Sequence, residues 1–597
     1  MWSLYNKKDE FLAPLKYSNG KTQENVVEEV LDAVDDNYKI IFIKGTPGSG
    51  KSAVALNVAK EFSKSSIVVP VKYLQKQYEH DYASNLYLKR DNGEKLKISV
   101  ITGRNNHRCM FDKSKNADFP LLPCIIQLRK ENLDMLRQYV KINKDVDPDD
   151  FVELKDFTRT AVACACPKWS PIVSKEFAEN TGIDSDKIYY NAIKSDVKCI
   201  LKREHGCSYY NQFEAYKNAD VIIFNSRKYE LENLMERKPA TDIEIIDEGD
   251  EFLDKLSNER KINLNYLLAR LKRAGEAEKN EDVREAIFDL MNIVDGLIKH
   301  NSGSKIMKLE ENRAIDLLDY FLRNSYLAEH EELESYYEAI LTFGDFKEST
   351  YVCYNKNNKN ETVLEIVNID LKRKLDEFLT RNKAFVFMSG TMHSKKVLRE
   401  MFGINEYKLI EAETKEYGNI KKVFTKKEGD FRYRYFENGK YKREDYLRAL
   451  DASVEQAKRP VLVHVNSYSD LPTEQEKNVL KLNLLSQESF VEMQEKGKRG
   501  ELLQLFKDGK IDELYSTKCN RGVDFPGEMC NSIVFTKYPY PSMHDLFWQV
   551  LKRERPDEYF SFYMDKAFRE YKQRIYRGLR SENDSIFLLS PDVKVLS

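Results

Sequence analysis

Residues 39–62 read KIIFIKGTPGSGKSAVALNVAKEF. The β-branched and apolar run from Ile40 to Ile43 predicts a buried strand, and the apolar residues after Ser52 recur at helical spacing. Between them Gly45, Thr46, Pro47, Gly48, Ser49, Gly50, Lys51 and Ser52 fit the pattern G-x-x-x-x-G-K-[ST]. In that pattern the glycines let backbone N–H groups wrap phosphates at a helix N-terminus. Lys51 would meet the β- and γ-phosphates and Ser52 would ligate Mg²⁺. Strand, phosphate loop and helix in this order place the chain in the α/β class.

Working outward, DIEIIDEGDEF at 242–252 carries a second apolar run straight into Asp247 and Glu248. Carboxylates at the C-terminal end of a strand stand where an open α/β sheet binds its ligand. Asp247 would hold Mg²⁺ and Glu248 would polarise an attacking water. With the phosphate loop, these are the parts of in-line phosphoryl transfer to water, that is, ATP hydrolysis. The C-terminal third repeats the α/β rhythm: RPVLVHVNSYSDL (459–471) and CNSIVFTKYPYP (530–541) read as strands running into turns. RGVDFPGE (521–528) lies between them and QRIYRGLRSEND (573–584) near the end. Arg577 and Arg580 are three residues apart and share a helix face, either as a pair of arginine fingers or as part of a solvated, alternately charged helix.

The 597 residues are too many for one core and predict roughly three to five units at ~100–200 residues each. A formal net charge of −2 means that any nucleic-acid surface must arise from local clustering. No apolar run is long enough to span a bilayer and MWSLYNKKDEF does not read as a signal peptide, so a cytoplasmic protein without membrane contact is expected. Six of the nine cysteines fall between 109 and 207. In such a chain that clustering favours a metal site over disulfides.

Together these segments resemble the superfamily-two DNA helicases of the XPD/DinG type, which carry an iron–sulfur cluster. Gln23 in GKTQENVVEEV resembles the family's upstream glutamine, GTPGSGKS its first motif, and VPVKYLQKQY the segment that contacts a DNA strand. DEGD stands where the family has DEAH or a relative. FMSGTM, around Ser389, Gly390 and Thr391, is similar to its SGT motif, RGVDFPGE to its most specific signature, and QRIYRGLRSEND to Q-x-x-G-R-x-x-R. Two departures stand out: Gly249 and Asp250 replace the usual Ala-His, removing a histidine that couples the ATP and DNA sites, and Tyr576 replaces a glycine.

The resemblance implies two RecA-like motor domains with parallel sheets, a Cys-rich Fe–S insertion and a helical arch-like insertion, both in the first motor domain. It adds Gln23 and Asp524 to the ATP-binding residues, and Gln573, Arg577 and Arg580 to Lys51, Asp247 and Glu248 as catalytic residues. It also implies a 4Fe–4S cluster held by four cysteines. GRNNHRC resembles the family's first ligand segment, giving Cys109, and GCSYYNQFEAYKNADVIIFNS its last, giving Cys207. Cys124 in LPC and Cys166 in ACACPKW are preferred for the middle pair because an adjacent proline helps fix the turn, with Cys164 and Cys199 in reserve. A four-cysteine zinc site is the competing reading.

The expected units are 1–100, 211–254 and 351–395 for the first motor, 101–210 for the cluster insertion, 255–350 for the arch and 396–597 for the second motor. Ile287, Leu290, Met291, Val294, Leu297 and Ile298, then Ile315, Leu317, Leu318, Phe321 and Leu322, give the arch its helical stripes. VCYNKNNKNETVLEIV reads as a hairpin returning the chain to the first motor. The expected activity is ATP-driven 5′ to 3′ translocation of a monomer on single-stranded DNA, unwinding duplex junctions with the cluster domain as wedge. Tyr73, Tyr209 and Tyr210 are candidates for base stacking. The rival readings are a cluster-bearing translocase or remodeller that does not unwind duplex, and a redox-responsive nucleic-acid-binding protein with weak ATPase.

Overall fold

The computed structural model describes all residues except 1, 129–131, 258, 279–280, 302, 325–326, 328–332, 381, 416–417, 496–498, 518–523 and 580–582. Its largest sheet has seven parallel strands in the order Lys408–Glu411, Ile40–Lys44, Ala384–Ser389, Ile243–Asp247, Ser65–Val69, Val221–Asn225, Ile98–Ile101. The central strands are almost wholly apolar because helices cover both faces. Ile41, Ile43, Ile245, Val386 and Met388 enter one core, while Phe42, Ile246, Phe385 and Phe387 alternate into the other. A second sheet of five parallel strands follows, ordered Asn419–Lys422, Ser585–Leu589, Ser532–Phe535, Val461–His464, Glu513–Ser516. These are the two RecA-like lobes.

Both insertions leave the first lobe. The Cys-rich one departs from the edge strand Ile98–Ile101 and returns at its neighbour Val221–Asn225. It contains the helices Leu133–Ile142 and Arg159–Ala163 and an antiparallel sheet of Ile172–Ser174, Val197–Lys202 and Asp186–Asn191. The other insertion contains the helices Leu264–Ala277, Glu281–Lys299, Ala314–Arg323 and Glu334–Leu341. Its core takes in Ile287, Leu290, Val294, Leu297, Leu317, Leu318 and Phe321 from the stripes read in the sequence.

Two expected boundaries move. The hairpin Thr350–Lys356 and Thr362–Asn368 does not join the motor sheet; it pairs with Arg260–Asn263 and Met307–Lys308 in a four-stranded antiparallel sheet. Both of its faces are apolar, so it belongs to two cores. Val352, Tyr354, Leu364 and Ile366 pack on the arch helices, and Tyr351, Cys353 and Val367 on the motor core. The arch therefore runs past 350. Likewise the second motor does not begin at 396: Ala384–Ser389, the helix Lys395–Phe402 and Lys408–Glu411 form a parallel crossover whose last strand pairs with Ile40–Lys44. Among the described residues no helix is long and apolar enough to cross a membrane.

Candidate active site and thiol cavity

Three neighbouring strands deliver the motifs to one edge of the first sheet. Ser389 lies opposite Lys44, and Asp247 opposite Met388, so the phosphate loop, the SGT turn and the acidic turn begin at one level. Gly45 N–H donates to Ser389 O at 3.1 Å, tying the first two turns together. The loop then needs a left-handed backbone at Gly48 (φ 86°) and Gly50 (φ 72°), which glycine adopts without steric cost. Gly50 caps the helix Lys51–Ala59, aiming that helix's first N–H groups into the loop. Lys51 Nζ donates to Gly45 O (2.9 Å) and Thr46 O (3.2 Å), while the hydroxyls of Thr46 and Ser49 are buried with no hydrogen-bond partner among the described residues.

Gln23 sits behind this loop. Its amide donates to Gly50 O at 3.2 Å and accepts from Leu15 N–H at 2.8 Å, so here it braces the turn. Tyr17 assists with a 3.0 Å hydrogen bond to Ser49 O. Asp247 is buried; desolvation first, then the neighbouring charge of Glu248, pushes its pKa up to about 6 against the opposing pull of Lys51. Glu248 occupies a left-handed conformation (φ 52°), turning its carboxylate out of the strand. Tyr78, in the segment resembling a DNA contact, instead brings its buried hydroxyl beside Asp247 and Ser52. No motif pattern signalled that tyrosine.

The second lobe reaches this edge through the helix Pro556–Ile575 and the turn after it. Gln573 Nε2 donates to Thr391 Oγ1 at 2.7 Å and to Glu248 Oε2 at 3.4 Å. Arg577, 2% exposed, donates to Asp524 Oδ1 at 3.0 Å and to Gln573 Oε1 at 3.2 Å, bringing three sequence candidates together. Arg580 lies outside the described residues. The departure at Asp250 acquires partners of its own: its carboxylate accepts from Ser389 Oγ (2.8 Å), Thr391 Oγ1 (3.1 Å) and Arg569 (3.2 Å). Arg569 escaped the sequence reading, although it lies four residues before Gln573 and eight before Arg577.

In the Cys-rich insertion, Cys109, Cys124, Cys166 and Cys207 line a single cavity with Arg104, Lys168 and Tyr210. Cys164 and Cys199 are not among its lining residues. Cys164 instead faces Arg203 and Asp145, and Cys199 packs in a small core with Ala178 and Leu201. N–H donors are directed at two of the cavity sulfurs, from Asp112 N to Cys109 (3.4 Å) and from Arg104 to Cys124 (3.6 Å). Burial, reinforced by the other thiols, holds the Cys166 thiol up at about 12. Arg203 braces the ACAC turn, donating to the carbonyls of Cys164 (3.1 Å) and Cys166 (3.0 Å). Among the described residues no three His, Cys, Asp or Glu side chains converge closely enough to clasp one metal ion. Tyr209 and Tyr210, expected as stacking candidates, are buried; Arg104 lies over the Tyr209 ring and bonds the Tyr210 hydroxyl at 2.9 Å.

This geometry defines a two-lobed phosphate-loop fold with a cysteine-lined insertion. Residues 450–597 match the helicase C-terminal domain family, and residues 16–149 match the type III restriction enzyme res subunit family. No curated protein matches the chain. Among solved structures, it is similar to one titled XPD_Helicase, at 17% identity and TM-score 0.54 over 96% of both chains. Similarity to one titled XPD_APO is 16% with TM-score 0.52 over 96% of both chains, and to Xpd4 of S. tokodaii 15% with TM-score 0.50 over 95% of both. The chain thus has the fold of the structures titled XPD, and its residues 450–597 match a helicase C-terminal domain.

Proposed function

We propose that this protein is an ATP-dependent DNA helicase that moves 5′ to 3′ on single-stranded DNA and opens duplex at junctions with its Cys-rich insertion. The observation that carries this reading is the convergence of Cys109, Cys124, Cys166 and Cys207 on one cavity, in an insertion leaving the edge strand of a phosphate-loop lobe. Four thiols suit a 4Fe–4S cluster, and their spread around a cavity favours it over zinc, which would draw all four to about 2.3 Å from one ion. When bound, such a cluster would supply a covalent crosslink between four separate turns of the insertion.

In the motor, the loop from Gly45 to Ser52 takes the phosphates and Lys51 meets their charge. Ser52 and Asp247 are the residues to hold Mg²⁺. Glu248 orients the attacking water, with Gln573 alongside it, and Arg577 moves from Asp524 toward the developing charge on lobe closure. Strand contact is electrostatic and independent of sequence.

Lys51→Ala tests the reading. ATP turnover stimulated by single-stranded DNA should vanish while strand binding, followed by fluorescence anisotropy, stays within about threefold of wild type, because most phosphate contacts to the strand lie elsewhere. Retained DNA-stimulated hydrolysis would overturn the site. Displacement from a duplex bearing only a 3′ tail would overturn the polarity, and movement along single strands without displacement would favour the translocase reading.

A further inference from the structure

The segment DEGD carries an aspartate, Asp250, at its fourth position. Asp250 is 3% exposed, and its carboxylate accepts from two hydroxyls of the SGT turn and from one guanidinium of the second lobe. Arg569, 2% exposed, uses its whole fork. Besides Asp250 it binds Asp254 through both terminal nitrogens (3.0 and 2.9 Å) and Asp565 through Nε (2.8 Å). His393 Nε2 stands 2.9 Å from Asp254 Oδ1, and Lys566 Nζ 3.7 Å from Asp254 Oδ2. Burial alone would lower the basicity of Arg569; Asp254 and Asp250 reverse this and lock the charge in place.

Asp250 and Asp254 are four apart on the short helix that follows Glu248, so they present one face to Arg569. On the opposing helix Arg569 and Gln573 are also four apart, and Arg577 follows four residues on, in the turn beyond the helix. One helix and its C-terminal turn thus carry the buried ion pair, the amide on Glu248 and Thr391, and the arginine on Asp524.

We propose that Asp250 and Arg569 form an interlobe link that holds Gln573 and Arg577 in register with Glu248, Arg569 acting as a positioning residue for ATP hydrolysis. This deepens the helicase reading and rests on it. A planar fork shared by three carboxylates is a geometry that a lysine ammonium cannot reproduce. The link bears on the orientation of Gln573 and Arg577 rather than on nucleotide contact through the loop Gly45–Ser52. Its loss should therefore appear in kcat and leave KM for ATP nearly unchanged.

The test uses the full chain, with ATP turnover measured at saturating single-stranded DNA and thermal melting as a check on folding. Arg569→Met and Arg569→Lys should each lower kcat about 10-fold or more with KM for ATP within about twofold. Asp250→Asn, which keeps shape and one acceptor, should lower kcat by about 3–10-fold, and the Asp250→Asn/Arg569→Met pair should be no worse than Arg569→Met alone. If Arg569→Met does not fold, Arg569→Lys and Asp250→Asn carry the same test. Wild-type kcat in Arg569→Lys, a KM that rises in step with the loss of kcat, or additive effects in the pair would overturn the link. Wild-type protein that shows no strand-stimulated turnover would instead overturn the helicase reading beneath it.

Discussion

Placing an alanine at position 249 should damage this protein. A β-carbon on Gly249 would lie 2.7 Å from Phe387 Cβ, 3.0 Å from its Cδ1 and 3.2 Å from its Cα. Two of these atoms belong to the strand itself, and the ring cannot swing away: Phe42 stacks on it at 5.3 Å, with Phe385 at 6.0 Å and Phe252 at 6.2 Å. Overpacking of this kind costs about 1–3 kcal/mol, and contact with rigid strand atoms argues for about 2 kcal/mol. At 2–4 °C per kcal/mol for a unit of this size, the first-lobe transition in calorimetry should fall by roughly 4–8 °C. Transitions of separate units must be resolved for this comparison, because a chain of several lobes does not unfold in two states. Adding Phe387→Leu should not restore stability, since the closest contact is to Cβ, which leucine keeps. A Gly249→Ala protein melting within about 1 °C of wild type would refute the packing argument.

Three further outcomes follow from particular contacts. Cys166→Ser should lose iron on anaerobic reconstitution while Cys164→Ser keeps the wild-type iron content, because only Cys166 of the pair lines the cavity; the reverse pattern would exchange the ligands. Burial would raise the Asp254 pKa, but Arg569, then Lys566 and His393, hold it well below the ordinary carboxylate range. A depressed pKa contributes stability that is fully present above the unfolded value of about 3.9 and is lost as pH falls through the folded value. The melting gap between wild type and Asp254→Asn should therefore be wider at neutral pH than in strong acid; an equal gap at neutral pH and near pH 3 would contradict the pairing. Breaking that buried pair should cost about 3 kcal/mol or more at neutral pH, measured by the same melts.

Much of the fold was legible because its signals are local. The apolar runs at 40–44, 243–247 and 384–389 must be buried on both faces, and the glycines of the phosphate loop leave few alternatives for the turn between strand and helix. The two displaced boundaries were not local matters. Tyr351, Val352, Cys353 and Tyr354 alternate between two equally apolar faces, and nothing in their spacing says that one face meets a motor and the other a helical arch. The strand Lys408–Glu411 is short and half charged, and it is a strand because Ile40–Lys44 offers it an edge.

The site divides along the same line. The phosphate loop and the acidic turn are contiguous segments, whereas the two middle thiols were left open among Cys124, Cys164, Cys166 and Cys199, with Cys124 and Cys166 preferred, because that choice depends on side-chain direction. What the sequence left even was whether Arg577 lies on a solvated, alternately charged helix. Its burial against Asp524 and Gln573 decides that for Arg577, and the reason lies elsewhere in the chain: Asp250 and Asp254 give the same helix a buried counter-charge at Arg569. A charged stripe can be buried only if each charge meets a partner there. Thus the aspartate at the end of DEGD and the arginine one turn before Gln573 have to be read together, since as a pair they tie the acidic turn of one lobe to the helix Pro556–Ile575 of the other.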